Sequence, residues 1–229
     1  MVFLSLVANT GMGTKAAMLW TGGKDSALAL DLAEKSGCEA VSLVTFAPPE
    51  PEFLAHPLPL MRRQADSLGL PHRILMVDEP IREGYVKGLG LLKAHGVEAV
   101  VTGDIAEVDG HPNWVRECCE GVGLEVITPL WGMDGEEVME RLLSGGFKAI
   151  FTLVKRPWLT EEWVRKELDR ESLERLRKVP GLDLCGERGE YHTMVLDAPM
   201  FERRIRIRFH STVVKGDMAY MDVNDANVV

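Results

Sequence analysis

The chain has few cysteines and no C-x-x-C pair; Cys38, Cys118, Cys119 and Cys185 are the complete set of four. That spacing writes neither a zinc ribbon nor a thioredoxin-type dithiol, and the vicinal pair Cys118-Cys119 does not readily close on itself. So sparse a set in a mid-sized acidic chain reads as reduced and structural, the usage of a cytoplasmic protein. Positive charge is short as well: 26 Lys and Arg stand against 35 Asp and Glu, a net charge of −9. This balance disfavours a protein that grips nucleic acid through its phosphates, so nucleic acid is not expected as a partner. No apolar run approaches the roughly 18–20 residues of a membrane span. Internal repeats and low-complexity tracts are missing too. Residues 1–14 contain the short apolar stretch Val2–Ala8 without the basic residues that open a signal peptide. They are read as a leader or an extra N-terminal segment.

What is present is a chain of 229 residues with 46% apolar content, enough for a full core. From Lys15 onward, short apolar runs alternate with amphipathic ones. Strands are expected at Ala16–Trp20, Glu39–Phe46, His72–Val77, Val97–Val101 and Glu125–Ile127. Helices are expected at Ser26–Lys35, Leu58–Leu68, Ile81–His95 and Asn113–Gly121. This βαβ rhythm predicts an α/β fold with a Rossmann-like parallel sheet over residues 15–130. After Pro129 the rhythm changes. A helix at Gly135–Leu143, a strand at Ala149–Val154, a charged helical stretch at Glu161–Lys178 and strands at Tyr191–Leu196 and Arg204–Phe209 predict a smaller α+β region over 131–229.

The chemistry begins where the first strand ends, at Thr21-Gly22-Gly23-Lys24-Asp25-Ser26. In a parallel sheet, ligands bind beyond the carboxyl ends of the strands. Gly22 and Gly23 let the backbone bend and bring N–H groups close to an anion, and the following helix start adds its dipole. Thr21 and Ser26 add hydroxyls, and Lys24 adds a positive charge. A double glycine by itself only makes a turn, and Asp25 or Ser26 would then only cap a helix. The order strand, Gly-Gly, Lys-Asp-Ser, helix points instead to a phosphate cradle. It is not the Walker loop, because Met18 stands where that motif needs its first glycine.

T-G-G-K-D-S after a first strand resembles the S-G-G-x-D-S signature of the PP-loop ATP pyrophosphatase superfamily (N-type), with Thr21 in place of Ser. Further stretches are similar to its diphthine–ammonia ligase-like branch. They are Thr102-Gly103-Asp104-Ile105, Gly123-Leu124, Pro129-Leu130-Trp131, Gly186-Glu187-Arg188-Gly189-Glu190-Tyr191-His192-Thr193 and Asp197-Ala198-Pro199-Met200-Phe201. The likeness runs from Lys15 to about Phe209. It departs at Asp109-Gly110-His111-Pro112-Asn113-Trp114, where the branch usually carries a Gln-Arg-rich helix start. The resemblance implies an ATP-dependent ligase that adenylates a carboxylate-bearing acceptor, releases pyrophosphate, and forms an amide with ammonium.

Roles follow for individual residues. Thr21, Gly22, Gly23, Lys24, Asp25 and Ser26 are expected to hold the ATP phosphates, with Gly103 and Asp104 on the same sheet edge. Lys24 is the expected charge-neutralising catalytic group, and Asp25 the expected Mg2+ ligand. Glu187, Glu190 and His192 are the candidates for the second substrate. Glu190 and His192 are expected on one face of an extended segment, as a carboxylate–imidazole pair able to orient ammonia or accept its proton. Each has a plainer alternative in a helix-start carboxylate, a strand-to-loop turn or a charged surface strand. Arg204, Arg206 and Arg208 read as a solvated strand face, and Trp131 as a packing residue at the boundary. Two rivals stay open at this stage: a tRNA-modifying PP-loop enzyme, and a regulatory ATP- or AMP-binding protein without turnover. Association into a homo-oligomer is also left open.

Overall fold

The computed structural model describes residues 13–107 and 114–228. The expected leader up to residue 12, the departing stretch from Asp109 to Asn113 and the side chain of Phe209 lie outside the described residues.

The chain order is β1 (Thr14–Leu19), α1 (Lys24–Lys35), β2 (Cys38–Ala47), α2 (Leu58–Leu68), β3 (His72–Met76), α3 (Ile81–Ala94), β4 (Ala99–Val101), α4 (Trp114–Glu120) and β5 (Glu125–Ile127). There follow α5 (Gly135–Ser144), β6 (Lys148–Lys155), α6 (Arg170–Leu176), β7 (Tyr191–Asp197), β8 (Ile205–Lys215) and β9 (Met218–Val228). The first five strands form a sheet in the order β3-β2-β1-β4-β5, and all its pairs are parallel. The chain winds outward from β1 to β3, then crosses to β4 on the other side of β1. Connections leaving β1 and β4 therefore diverge, and a crevice opens between their carboxyl ends.

Alternation along β1 divides the interior into two layers. Ala16 and Met18 join the apolar cluster of α1 and α2, while Ala17 joins that of Val44, Val100, Leu89 and Leu92 on the opposite face. The first cluster is the larger because a second sheet, β7-β6-β9-β8, closes over it. Met18, Leu28, Leu60 and Met61 share that cluster with Phe151, Tyr191 and Met194. Each such Leu, Met or Phe side chain contributes about 1.5–3 kcal/mol on leaving water. The antiparallel sheet is thus held onto the flank of the parallel one by a continuous core.

Two expectations for the C-terminal region are corrected. The charged stretch Glu161–Lys178 is not one helix. It opens with a 3-10 turn at Glu161–Trp163, then runs extended beside β6. Phe151 N donates to Lys166 O at 3.0 Å and Leu168 N to Ala149 O at 2.8 Å. The burial of Trp163, Val164 and Leu168 against β6 outweighs the helical propensity of the charged residues. Helix α6 starts only at Asp169, whose carboxylate accepts from Ser172 N while Ser172 Oγ accepts from Asp169 N, both at 2.8 Å. The second correction is β9, which was not expected. Its alternating inward residues Ala219, Met221 and Val223 are buried, but Asp222, Asn224, Asp225 and Asn227 mask the pattern because Asp and Asn are poor strand formers.

One buried polar residue joins three parts of this architecture. Gln64, in α2, is fully buried. Its Oε1 accepts from Trp20 Nε1 at 3.1 Å, and its Nε2 donates to Gly22 O and to Val195 O, each at 2.8 Å. Gln64→Leu keeps the volume but strands the Trp20 donor and the Val195 acceptor, a loss of about 2–4 kcal/mol. For a chain of this size the melting midpoint should fall by about 4–16 °C, measured by calorimetry. A midpoint within about a degree of the parent would contradict this bond arrangement.

Candidate active site

The crevice predicted by the strand order is a cleft of about 930 Å³, lined by the β1–α1 loop, the end of β4 and the segment leading into β7. Gly22 has φ +75, in the left-handed region that favours glycine. A Cβ there would lie 2.1 Å from Gln64 Oε1. Gly22 turns inward against the core, and the loop's ligand-facing residues are Thr21, Gly23, Lys24, Asp25 and Ser26. Gly23 caps α1 without any side-chain cap of its own, so the helix start is open toward the cleft. The hydroxyls of Thr21 and Ser26 hydrogen-bond at 3.2 Å, and Ser26 Oγ donates to Gly23 O at 3.1 Å. Gly103 lies directly behind the loop: a Cβ there would stand 2.7 Å from the Asp25 carbonyl carbon and 2.8 Å from Ser26 N. Next to it, Asp104 Oδ2 accepts from Thr102 Oγ1 at 2.6 Å.

Lys24 is buried. Its ammonium donates to Asp25 Oδ2 at 2.7 Å and to Cys185 O at 2.5 Å, and lies 5.5 Å from the centre of the Tyr191 ring. Burial alone would lower its pKa, but the Asp25 carboxylate, with help from Cys185 and Glu187, raises it. Lys24 therefore stays a cation. The backbone N–H of Lys24 donates to Thr193 Oγ1 at 3.1 Å. The other oxygen of the Asp25 carboxylate, Oδ1, is buried and has no hydrogen-bond partner. A carboxylate oxygen left bare beside a cation and a helix start is the arrangement a hard cation would complete.

The second-substrate candidates separate. Glu187 lies in the cleft, and burial together with Asp25 pushes its carboxyl up to about 7. His192 also lines the cleft; burial and Lys24 push its pKa down to about 4, so the imidazole is neutral near pH 7. Glu190 does not join them. It is fully buried and absent from the cleft wall. Its Oε1 accepts from Asp183 N at 2.9 Å and its Oε2 from Arg188 N at 3.0 Å. The expected pairing of Glu190 with His192 fails because Glu190 precedes β7, which starts at Tyr191, and strand alternation does not reach it. Its carboxylate clasps the 183–190 loop.

Several residues of the site were not singled out from the sequence. His56 faces His192 edge-on, with ring centres 5.2 Å apart. Its Nδ1 is buried without a partner, and burial, His192 and Lys24 push its pKa down to about 3. It comes from the Pro-rich segment after β2, whose sequence carries no periodicity to place it. Tyr85 and Trp114 also line the cleft. So does Trp131, which is 39% exposed, whereas the junction core is filled by Leu130. Trp131 is thus corrected from packing residue to wall residue. Arg204, Arg206 and Arg208 are exposed beside the buried Ile205, a solvated face. All four cysteines are free. Burial pushes the Cys185 thiol up to about 12 and the Cys119 thiol up to about 11.

Residues 14–126 match the family described as diphthamide synthase N-terminal domain, and residues 134–229 that described as diphthamide synthase C-terminal domain. The chain is 34% identical over 131 residues to a diphthine–ammonia ligase of Schizosaccharomyces pombe, covering 56% of this chain and 22% of that protein. It is 27% identical to the diphthine–ammonia ligase of Bos taurus and 26% identical to that of Homo sapiens. Both alignments run over 237 residues and cover 91% of this chain and 88% of those proteins.

Glu187 gives the site a pH signature. Its carboxyl is raised in the folded chain, so its neutral form is favoured by folding. The associated stability is complete below the ordinary carboxylate pKa near 4.5 and is lost as pH rises toward about 7. Glu187→Gln, which stays neutral, should match the parent's melting midpoint at pH 4.5 and exceed it by a few degrees at pH 8. A difference that is the same at both pH values would refute the shift.

Proposed function

The chain belongs to the diphthamide synthase family, and on that premise we propose that it is an ATP-dependent, AMP-forming amide ligase of the PP-loop ATP pyrophosphatase type. Its acceptor is a carboxylate of the diphthine kind and its amine is ammonia. The observation that carries the reading is the buried Lys24 ammonium at the open start of α1, beside the bare Asp25 oxygen.

In the first step an acceptor carboxylate oxygen attacks the α-phosphorus, the bond from that phosphorus to the bridging α–β oxygen breaks, and pyrophosphate leaves. Negative charge grows on the departing phosphates. Lys24, the α1 N–H groups and the hydroxyls of Thr21 and Ser26 lie where they would offset it. Gly103 gives the loop room against β4, and Asp104 marks the neighbouring wall. Asp25 would hold Mg2+, which supplies further charge neutralisation on the phosphates when bound. In the second step ammonia attacks the acyl carbon and AMP leaves with the bonding electrons. The proton lost by nitrogen goes to a neutral base, for which His192 and His56 offer uncharged imidazoles. Glu187 sits close enough to Lys24 and Asp25 to orient the amine. Glu190 acts on this chemistry only by holding the loop that carries Glu187.

Sulfur-inserting chemistry on tRNA finds no support in these residues. It needs a thiolate, and burial keeps Cys119 and Cys185 protonated. No helix among the described residues is long and apolar enough to cross a membrane.

Exchange of labelled pyrophosphate into ATP in the presence of a diphthine-bearing acceptor tests the first step. Lys24→Ala should slow exchange by about 100- to 1,000-fold, and AMP rather than ADP should accompany amide formation. Exchange at the parental rate in Lys24→Ala, or tight ATP binding with no exchange, would overturn the proposal. Cys185→Ser should exchange within about twofold of the parent, because a protonated thiol has no role in either step.

A further inference from the structure

Strand β6 carries an irregularity opposite the cleft residues of β7. Phe151 pairs with Thr193 and Leu153 with His192, so two steps along β6 answer to one along β7 and Thr152 is the extra residue. A bulge of this kind takes a residue out of the ladder and re-aims its side chain. Thr152 is fully buried and is not part of the cleft wall. Its Oγ1 donates to Ala55 O at 2.6 Å, reaching from the antiparallel sheet to the segment that joins β2 to α2.

That bond falls one residue before His56. One residue after it, Pro57 caps α2, and the Pro57 carbonyl accepts from Leu60 N at 2.9 Å and from Met61 N at 3.2 Å. His56 is therefore held on both flanks, although Pro48, Pro49, Glu50 and Glu52 earlier in the segment are exposed. Its ring stands against the open start of α1, where a Cβ on Gly23 would lie 3.3 Å from His56 Cε1. It also meets the His192 ring at 5.2 Å, edge to face. A histidine that moves protons is ordinarily oriented by an acceptor on its second nitrogen. His56 Nδ1 is enclosed and has no such partner, so orientation of this ring falls to its backbone flanks and to packing. The same bulge registers the other ring, because His192 and Thr193 are the β7 residues opposite it, and Thr193 Oγ1 accepts from Lys24 N.

We infer that Thr152 is a positioning residue for the amination step: it holds His56 against His192 so that the facing imidazoles take the proton lost by the attacking nitrogen. The inference rests on the ligase reading for the existence of that step. The ammonia lone pair forms the C–N bond at the acyl carbon, the C–O bond to AMP breaks, and its electron pair leaves with AMP. One proton passes from the nitrogen to an imidazole nitrogen of the pair. Two rings this close to each other and to Lys24 do not carry two charges at once, so the pair accepts a single proton and returns it to solvent before the next turnover.

Amide formation and pyrophosphate exchange are measured on the full chain with a diphthine-bearing acceptor, using ammonium chloride or hydroxylamine as the amine. Thr152→Val keeps the shape and removes the hydroxyl. It should lower the ratio of amide formation to exchange by about 10- to 100-fold with ammonium. Thr152→Ser keeps the donor and should bring that ratio back to within about threefold of the parent. His56→Asn should slow amide formation from ammonium at least as much as Thr152→Val. Hydroxylamine gives up its proton more readily after attack, so with it the Thr152→Val defect should shrink to about threefold or less. A second measurement needs no turnover. The His56 ring Hε1 resonance, identified by its loss in His56→Asn, should move in Thr152→Val and return in Thr152→Ser. An equal defect with both amines, a His56 resonance that Thr152→Val leaves in place, or parental amide formation in His56→Asn would overturn the inference. A parent chain that neither exchanges pyrophosphate nor forms amide overturns the ligase reading. The resonance is read separately from both reactions, so the two failures are distinguishable.

Discussion

The carbonyl of Gly22 accepts two hydrogen bonds, from Val195 N at 3.0 Å and from Gln64 Nε2 at 2.8 Å. Val195 belongs to β7 of the antiparallel sheet and Gln64 to α2 of the parallel one, so this oxygen is where the two halves of the chain meet the phosphate loop. Most of the site follows from it. With Gly22 pinned, β7 runs past the start of α1, and Thr193 Oγ1 receives the Lys24 N–H from 169 positions away in sequence. The segment leading into β7 then brings the Cys185 carbonyl to the Lys24 ammonium. A side chain at Gly22 would strike Gln64 Oε1, so the joint tolerates only glycine. The loop is closed by groups that α1 alone does not supply.

Electrostatics inside the cleft depend on that closure. Lys24 keeps its proton in a buried setting because Asp25 is bonded to it. Once that pair is fixed, the other groups adjust around it. Glu187 is pushed up by burial and by Asp25, His192 is pushed down by burial and by Lys24, and His56 by burial, His192 and Lys24. The result is one cation, one committed anion, a carboxyl poised near neutrality and two neutral imidazoles. Such a set can accept an anionic phosphate chain on one side and handle an ammonia proton on the other.

The parallel sheet could be read from periodicity because each strand and helix there is a local pattern bounded by its own stop signals. The phosphate loop could be read because its glycines, hydroxyls and charges are contiguous. Where signals are not contiguous, reading failed. Glu190 looked like a partner for His192 by counting, but hydrogen bonds from Asp183 N and Arg188 N turn its carboxylate into the loop. His56 had no pattern around it at all, and only the approach of β7 gives it a neighbour. The 161–178 stretch carried helical composition, yet pairing with β6 overrode it over 165–168. Strand β9 was hidden because Asp and Asn, residues that ordinarily break strands, recur along it at Asp222, Asn224, Asp225 and Asn227.

By itself, the sequence determined the fold class of the first half, the place of the phosphate loop and the residues that form it. Those features depend on interactions between residues near in the chain, where propensity and periodicity carry enough information. Tertiary structure alone decided which carboxylate faces the cleft, that Lys24 is buried and paired with Cys185 O, and that Tyr85, Trp114 and Trp131 line one cleft. Those facts depend on contacts between segments far apart in sequence. They are set by where the two sheets come to rest on their common core, and no local pattern of residues encodes that resting place.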